Sequence, residues 1–229
     1  MTAVLYRKTM THQSNTQRER TERRARFRLK QLVAAAVLTA LLTIGLGRFL
    51  VMEGYVLKPI RVEPVMQLPE LPNGCEAASL ASVLQFYGYS VDKLYPGDPA
   101  TGIGFYCFAK PLAEGANLYL QQQESTLYAY DITGVTQAGL RQYLSDGVPV
   151  IVWITIDGEM PRYSNYEWTD LSTGETILGL ANVHCVVLTA LGETKCVLAD
   201  PLDGERVLEK EEFEQMFSAM GCRAVVIHD

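Results

Sequence analysis

The chain has 229 residues, close to half of them apolar, which suits one domain with appendages and a sizeable core. The net charge of −6 hides two parts of opposite sign: residues 1–31 hold nine Lys/Arg against two Glu, net +7, and the remainder is net −13. Five cysteines with no C-x-x-C pair, and three histidines far apart, give no zinc-binding spacing, and nothing implies a metal or an organic cofactor.

The basic head (1–31) is rich in Arg, Gln and Thr and has little apolar periodicity. Read alone it suits a nucleic-acid-binding arm, but the adjoining segment argues against that. Residues 32–52 form an apolar run broken only by Arg48, near the roughly 20 residues a helix needs to cross a bilayer. Arg48 lies near the far end, where its charge reaches the headgroups. A basic flank before an apolar span predicts a single-pass anchor with a cytoplasmic N-terminus and an extracytoplasmic body. Two other readings stand beside it: a cleaved signal peptide with Gly45-Leu46-Gly47 as its processing site, and a buried core helix. The length of the basic head and the apolar residues after Arg48 favour the anchor.

Residues 53–66 read as a linker, and the spaced prolines Pro59, Pro64, Pro69 and Pro72 oppose a helix from there to residue 72. The body proper is expected over 67–229. From Cys75 to Tyr87 the positions Ala78, Leu80, Ala81, Val83 and Leu84 predict a mostly buried helix that Gly88 ends. Residues 95–111 read as a loop rich in Gly, Pro and aromatics. A short helix is expected over 112–122 and a strand over 128–132. Thr136 is a good N-cap for a helix to Ser145. The β-branched run 148–156 predicts a central strand, and 157–180 reads as a loop. Strands are expected over 183–191 and 196–199, a turn over 200–204, a helix over 208–220 carrying Phe213, Met216 and Phe217 on one face, and a last strand over 224–227. A first helix followed by a mostly antiparallel sheet with interspersed helices is α+β.

Cys75 opens its helix after Asn73-Gly74. A thiol reacts as thiolate, and a helix N-terminus favours negative charge, so the position suits an activated nucleophile. It equally suits a buried helix cysteine. His12 lies in the basic head and His228 beside the C-terminus, so His184 is the histidine embedded in the body, as a general base or as a core histidine. Asp200, on the neighbouring expected strand, is either the carboxylate that orients the imidazole or part of an Asp-Pro turn. Oxyanion donors are the Cys75 backbone N–H, the Gln67 side-chain amide and, in competition, Asn73. Cys185, Cys196 and Cys222 fall in or beside apolar runs and read as small core residues, and Cys107 sits in an aromatic loop.

Pro69-Glu70-Leu71-Pro72-Asn73-Gly74-Cys75-Glu76-Ala77-Ala78-Ser79-Leu80, followed by Leu84-Gln85-Phe86-Tyr87-Gly88, resembles the nucleophile segment of the C39-like peptidases, a papain-like group. The blocks 147–153, 184–189 and 200–204 resemble that family's later segments in the same order, and the loop 104–108 is also similar. The likeness covers about residues 62–228. It implies a papain-like α+β fold with the nucleophile helix packed on an antiparallel sheet, Cys75 as nucleophile, His184 as base and Asp200 as orienting carboxylate. Gln67 matches the oxyanion glutamine, though it lies farther upstream than in the transporter-linked relatives. Those relatives remove leaders from exported peptides and carry a membrane domain and an ATPase. This chain has no Walker A pattern and one expected span, so that task is not implied.

The expectation is therefore a membrane-anchored extracytoplasmic cysteine peptidase acting on a peptide or protein, with no nucleic-acid partner. Two alternatives keep the fold. One is a cell-wall amidase or transpeptidase, for which Tyr106, Phe108, Tyr163, Tyr166 and Trp168 would suit a glycan-bearing stem. The other is a catalytically silent binding module.

Overall fold

The computed structural model describes residues 31–33, 35–37, 39, 58–91, 107–156, 158–169 and 176–229. The chain divides into two compact units, Met1–Val56 and Leu57–Asp229. In the first unit, the described residues between 31 and 39 are helical and exposed. Most of the expected span 32–52 lies outside the described residues, and among those described no helix is long and apolar enough to cross a membrane.

The second unit is built on a six-stranded antiparallel sheet. Its strands are β1 (Tyr128–Asp131), β2 (Val150–Thr155), β5 (Val183–Leu191), β6 (Lys195–Asp200), β7 (Gly204–Glu209) and β8 (Ala224–His228), in the order β1-β8-β2-β5-β6-β7. A separate hairpin, β3 (Tyr163–Thr169) with β4 (Thr176–Leu180), connects β2 to β5. Among the described residues, four helices complete the unit: α1 (Cys75–Phe86), α2 (Ala109–Gln122), α3 (Gln137–Ser145) and α4 (Lys210–Ala219).

The central strands are apolar on both faces because both faces are covered. Along β2, Ile151 and Trp153 join a cluster with α1 and α2, and Val150, Val152 and Ile154 join a second cluster with α3 and α4. β5 divides in the same way, with Cys185 and Val187 in the first cluster and Val186 and Leu188 in the second. Truncating the fully buried Trp153 to Ala would cost about 3–5 kcal/mol by the usual cavity rule. Thr136 caps α3 as expected, its hydroxyl accepting from the Gly139 N–H at 3.2 Å.

The sequence expectations fail at three places. The stretch 157–180 is not a loop throughout but carries the β3–β4 hairpin. Its Ser, Asn and Glu dilute the apolar alternation that marks a strand. Residues 204–209 form β7, and Leu208 belongs to it and not to the following helix, which begins at Lys210. α2 begins at Ala109 and takes Pro111 into its first turn, where the missing N–H has no intrahelical acceptor to lose.

Candidate active site

α1 starts where the lead-in segment turns sharply. The Leu71 N–H donates to the Gln67 carbonyl at 2.7 Å and the Gly74 N–H to the Leu71 carbonyl at 3.0 Å. Gly74 is the N-cap and offers no side-chain oxygen. It is required by space: a Cβ at this position would lie 2.6 Å from Leu71 Cβ. The tight turn delivers Cys75 to the first helical position, packed against β5, where the Ser79 hydroxyl donates to the Cys185 carbonyl at 3.0 Å.

Cys75 is buried, and its thiol donates to Glu76 Oε2 at 3.2 Å. Burial pushes the thiol well above its ordinary value and the Glu76 charge adds to it, while the Cys185 backbone N–H pulls the other way. The lowering expected of a helix-start thiol is thus overridden, because desolvation outweighs the partial charge of the helix end. Glu76 is itself displaced. Burial raises its carboxyl from 4.5 to about 7, against its own N–H, the Cys75 thiol, the Cys107 N–H and the Trp153 indole. Its Oε1 is buried without a hydrogen-bond partner.

His184 and Asp200 meet across β5 and β6. Asp200 Oδ1 accepts from His184 Nε2 at 2.8 Å and from the Leu202 N–H at 2.8 Å. Oδ2 accepts from Arg206 Nη1 at 2.8 Å, across the turn from β6 to β7. Burial favours the neutral acid, but the His184 hydrogen bond and charge, Leu202 and Arg206 outweigh it and hold the carboxyl down to about 2. With Nε2 on Asp200, the ring nitrogen left for other work is Nδ1.

The structure therefore brings His184 and Asp200 together and places Cys75 against Glu76; among the described residues Cys75 makes no hydrogen bond to His184. Gln67 is buried. Its N–H donates to the Pro201 carbonyl at 2.9 Å, tying the lead-in segment to the turn that follows Asp200. Its amide Nε2 donates to the Pro72 carbonyl at 3.0 Å and its Oε1 is unpartnered. Asn73 is exposed in the turn before Gly74. All five cysteines carry free thiols. Cys185 and Cys196 are buried core residues, Cys107 gives its carbonyl to the Trp153 indole at 3.0 Å, and Cys222 sits at a turn with φ 51. Tyr106 lies outside the described residues, and Tyr163 and Tyr166 are exposed on β3. Among the described residues no group of three or more His, Cys, Asp or Glu is arranged to hold a metal ion.

Residues 59–225 match the model of the Peptidase C39 like family. The chain belongs to that family. A C39-like peptidase from Bacillus anthracis, known from its crystal structure, superposes with a TM-score of 0.60 at 26% identity, over 74% of this chain and 96% of that one. The uncharacterized protein YvpB of Bacillus subtilis (strain 168) is 28% identical over 187 residues, 71% of this chain and 72% of its own length. A double-glycine-motif protease of an AMS/PCAT transporter, solved with its leader peptide, aligns over 74% of this chain and 91% of that one at 17% identity, with a TM-score of 0.29. The C39-like chain thus has the α+β fold with an antiparallel sheet that the sequence implies.

Two residues in contact with the candidate site residues escape the sequence reading. Glu76 lies within the block that carries the resemblance and receives no role there, because nothing in the sequence says that its carboxyl turns back onto the preceding thiol. Arg206 reaches Asp200 only through the β6–β7 register, which sets Leu198 opposite Arg206.

Proposed function

We propose that this C39-like chain is a cysteine peptidase anchored to the membrane by residues 32–52, with its N-terminus cytoplasmic and its body extracytoplasmic. Cys75 attacks the carbonyl of a peptide bond, His184 acts as the base and protonates the leaving amine, Asp200 orients the imidazole, and water releases the acyl group. The Cys75 N–H, at the start of α1, and Gln67 are the oxyanion donors. The observation that carries this reading is the buried His184–Asp200 hydrogen bond, made through Nε2 on the strand that packs against the Cys75 helix. A buried imidazole held at one nitrogen by a carboxylate is the arrangement that acid–base transfer to a thiol ester needs. Family membership supports a peptide or protein substrate.

A digest of a peptide library by the full chain tests it, with Cys75→Ala and His184→Ala as controls. New termini that vanish in both variants are expected. Equal cleavage by wild type and Cys75→Ala would end the reading. Exposed Tyr163 and Tyr166, on the hairpin that precedes β5 in the chain, suit a glycan-bearing stem peptide as well, so a cell-wall digest is the second arm. The anchor rests on the basic head and the apolar run. Protease added to intact cells should leave the Arg-rich head whole, and a digested head would invert the topology.

A further inference from the structure

The β3–β4 hairpin is fixed at its base by Asn182, a buried residue just before β5. Asn182 Oδ1 accepts the Arg162 N–H at 2.8 Å, Nδ2 donates to the Met160 carbonyl at 3.2 Å, and the Asn182 carbonyl accepts the Ile156 N–H at 3.0 Å. The hairpin therefore leaves the sheet at the end where Thr155 pairs with Val183 and Ile154 with His184. Val187 lies opposite Ala199 on antiparallel β6, so Asp200 and Pro201 also lie toward this end, and Pro201 is where Gln67 attaches the lead-in to α1. Within the hairpin Tyr163 lies opposite Leu180, and Glu167 lies opposite Leu178. Leu178 and Leu180 are two apart and share a face, with Tyr163 across from Leu180 on the same side. Leu180 packs on the apolar cluster that contains Cys75, whereas Tyr163 and Leu178 are 70% and 50% exposed. One apolar face thus runs from the Cys75 cluster out into solvent. On the peptidase reading of this site, we propose that Tyr163 and Leu178, backed by Leu180, hold a large apolar side chain of the peptide substrate and set its specificity.

The occupant follows from what the face is made of and where it leads. A leucine and a tyrosine ring left in water gain from being covered by apolar surface, and the phenol keeps its hydroxyl at the wet rim. The charge on this side of the hairpin is the exposed Glu167 carboxylate, opposite Leu178. Residues 32–229 are net −13 as well, which disfavours an anionic partner such as an acidic lipid surface. A neutral or basic peptide with a leucine- or phenylalanine-like residue fits both the surface and the charge. Leu178 lies one pleat, about 7 Å, beyond Leu180. A side chain seated there belongs to a residue within a few positions of the cleaved bond. The contact is made with the substrate and with the transition state alike, so it lowers KM and leaves kcat unchanged.

The test separates binding from cleavage. The full chain in detergent is given a set of short peptides with leucine, phenylalanine or serine at each position in turn. Binding is read by fluorescence anisotropy on Cys75→Ala, and cleavage by mass on the chain with its thiol. Leucine or phenylalanine at one position should bind about 10-fold more tightly than serine there, within the reach of one apolar side chain. Tyr163→Ser with Leu178→Ser should erase that ratio in Kd and KM and leave kcat unchanged. Tyr128→Ser, an exposed tyrosine on the edge strand β1, should change neither. Both substituted hairpin side chains are exposed, and Tyr163→Ser alone carries the same test if the pair does not fold. A ratio retained by the hairpin variants, or no ratio in the unsubstituted chain, would overturn the proposal. So would a dimer that the double variant splits while peptide binding stays intact, since the face would then seat a second copy. Peptides bound with the hairpin-dependent ratio but never cleaved would refute hydrolysis and leave the binding face standing. Cleavage with an unchanged ratio would do the reverse, and a set neither bound nor cleaved would end both.

Discussion

Glu76 at the start of α1 and Asp200 at the end of β6 are both buried carboxyls of one domain, yet their surroundings drive them in opposite directions. Glu76 rises to about 7 and Asp200 falls to about 2. Burial is the largest influence on each and favours the neutral acid in both. The difference lies in the donors. Asp200 has an imidazole and a guanidinium, one on each oxygen, besides the Leu202 N–H. Glu76 has neutral donors and an oxygen with no partner. The imidazole, the guanidinium and the Leu202 N–H together offset desolvation at Asp200, and the donors at Glu76 do not, so one fold keeps a fixed negative charge at one place and a titratable one at the other.

Removing Asp200 is the harshest way to break this contrast. Asp200→Ala leaves His184 buried without its carboxylate and Arg206 without its main partner. A loss of about 4 kcal/mol is expected, in the range for breaking a buried pair from one side. Urea unfolding at neutral pH measures it, and a loss below about 1 kcal/mol, the level of a surface pair, would show that the pair contributes little. Glu76 should give a smaller effect with a distinct pH signature. Its folded value is raised, so the folded chain holds that proton more tightly than the unfolded one. Stability from this group is complete below about pH 4.5 and is lost as pH rises through about 7. The total is about 3 kcal/mol for a shift of this size. Glu76→Gln should flatten the slope over that window in a series of urea midpoints, and an unchanged slope would place the titration elsewhere.

The contrast also marks what the sequence can reveal. The candidates Cys75, His184 and Asp200 stand out in the sequence because each lies at the edge of an element with a clear pattern: a Pro/Gly loop breaking into an apolar helix, and β-branched strands. The central strands β2 and β5 are legible because burial on both faces leaves an unbroken apolar run. The hairpin and β7 are not, since strands that face solvent on one side mix Ser, Asn, Glu and Arg into the pattern. Glu76 and Arg206 are hidden for another reason. Their roles depend on a side-chain rotamer and on a strand register, and neither is written in local spacing. The state of the thiol goes against expectation because position along a helix is visible in sequence and depth of burial is not.

The start of α1 offers a sharper test of how Cys75 and Glu76 are placed. By capping preference, Gly74→Ser should stabilise the helix, because serine would supply the missing acceptor. The close approach of Leu71 predicts the reverse. A Cβ 2.6 Å from Leu71 Cβ must displace the turn, with a cost of about 2 kcal/mol, typical of overpacking. Gly74 has φ −106, so backbone strain is not the cause. A thermal melt of Gly74→Ser separates the two rules by sign, and a raised midpoint would favour the cap.

The smallest effect should come from Arg206, and it bears most directly on why the two carboxyls differ. Its guanidinium is partly exposed and holds Asp200 Oδ2, with Asp203 as a weaker second partner at 3.7 Å. Arg206→Ala leaves His184 and Leu202 in place, so the fold should survive with a loss of about 1.5 kcal/mol, the value of one hydrogen bond to a charged group. The acid limb carries the sharper information. A depressed folded value contributes stability that is present above the unfolded value of 3.8 and is lost as pH falls through about 2. Without Arg206 the folded value should climb back toward 3.8, and the loss of stability between those two pH values should shrink. An acid limb identical to wild type would mean that His184 alone sets the charge of Asp200. The contrast with Glu76 would then rest on the imidazole and not on the guanidinium.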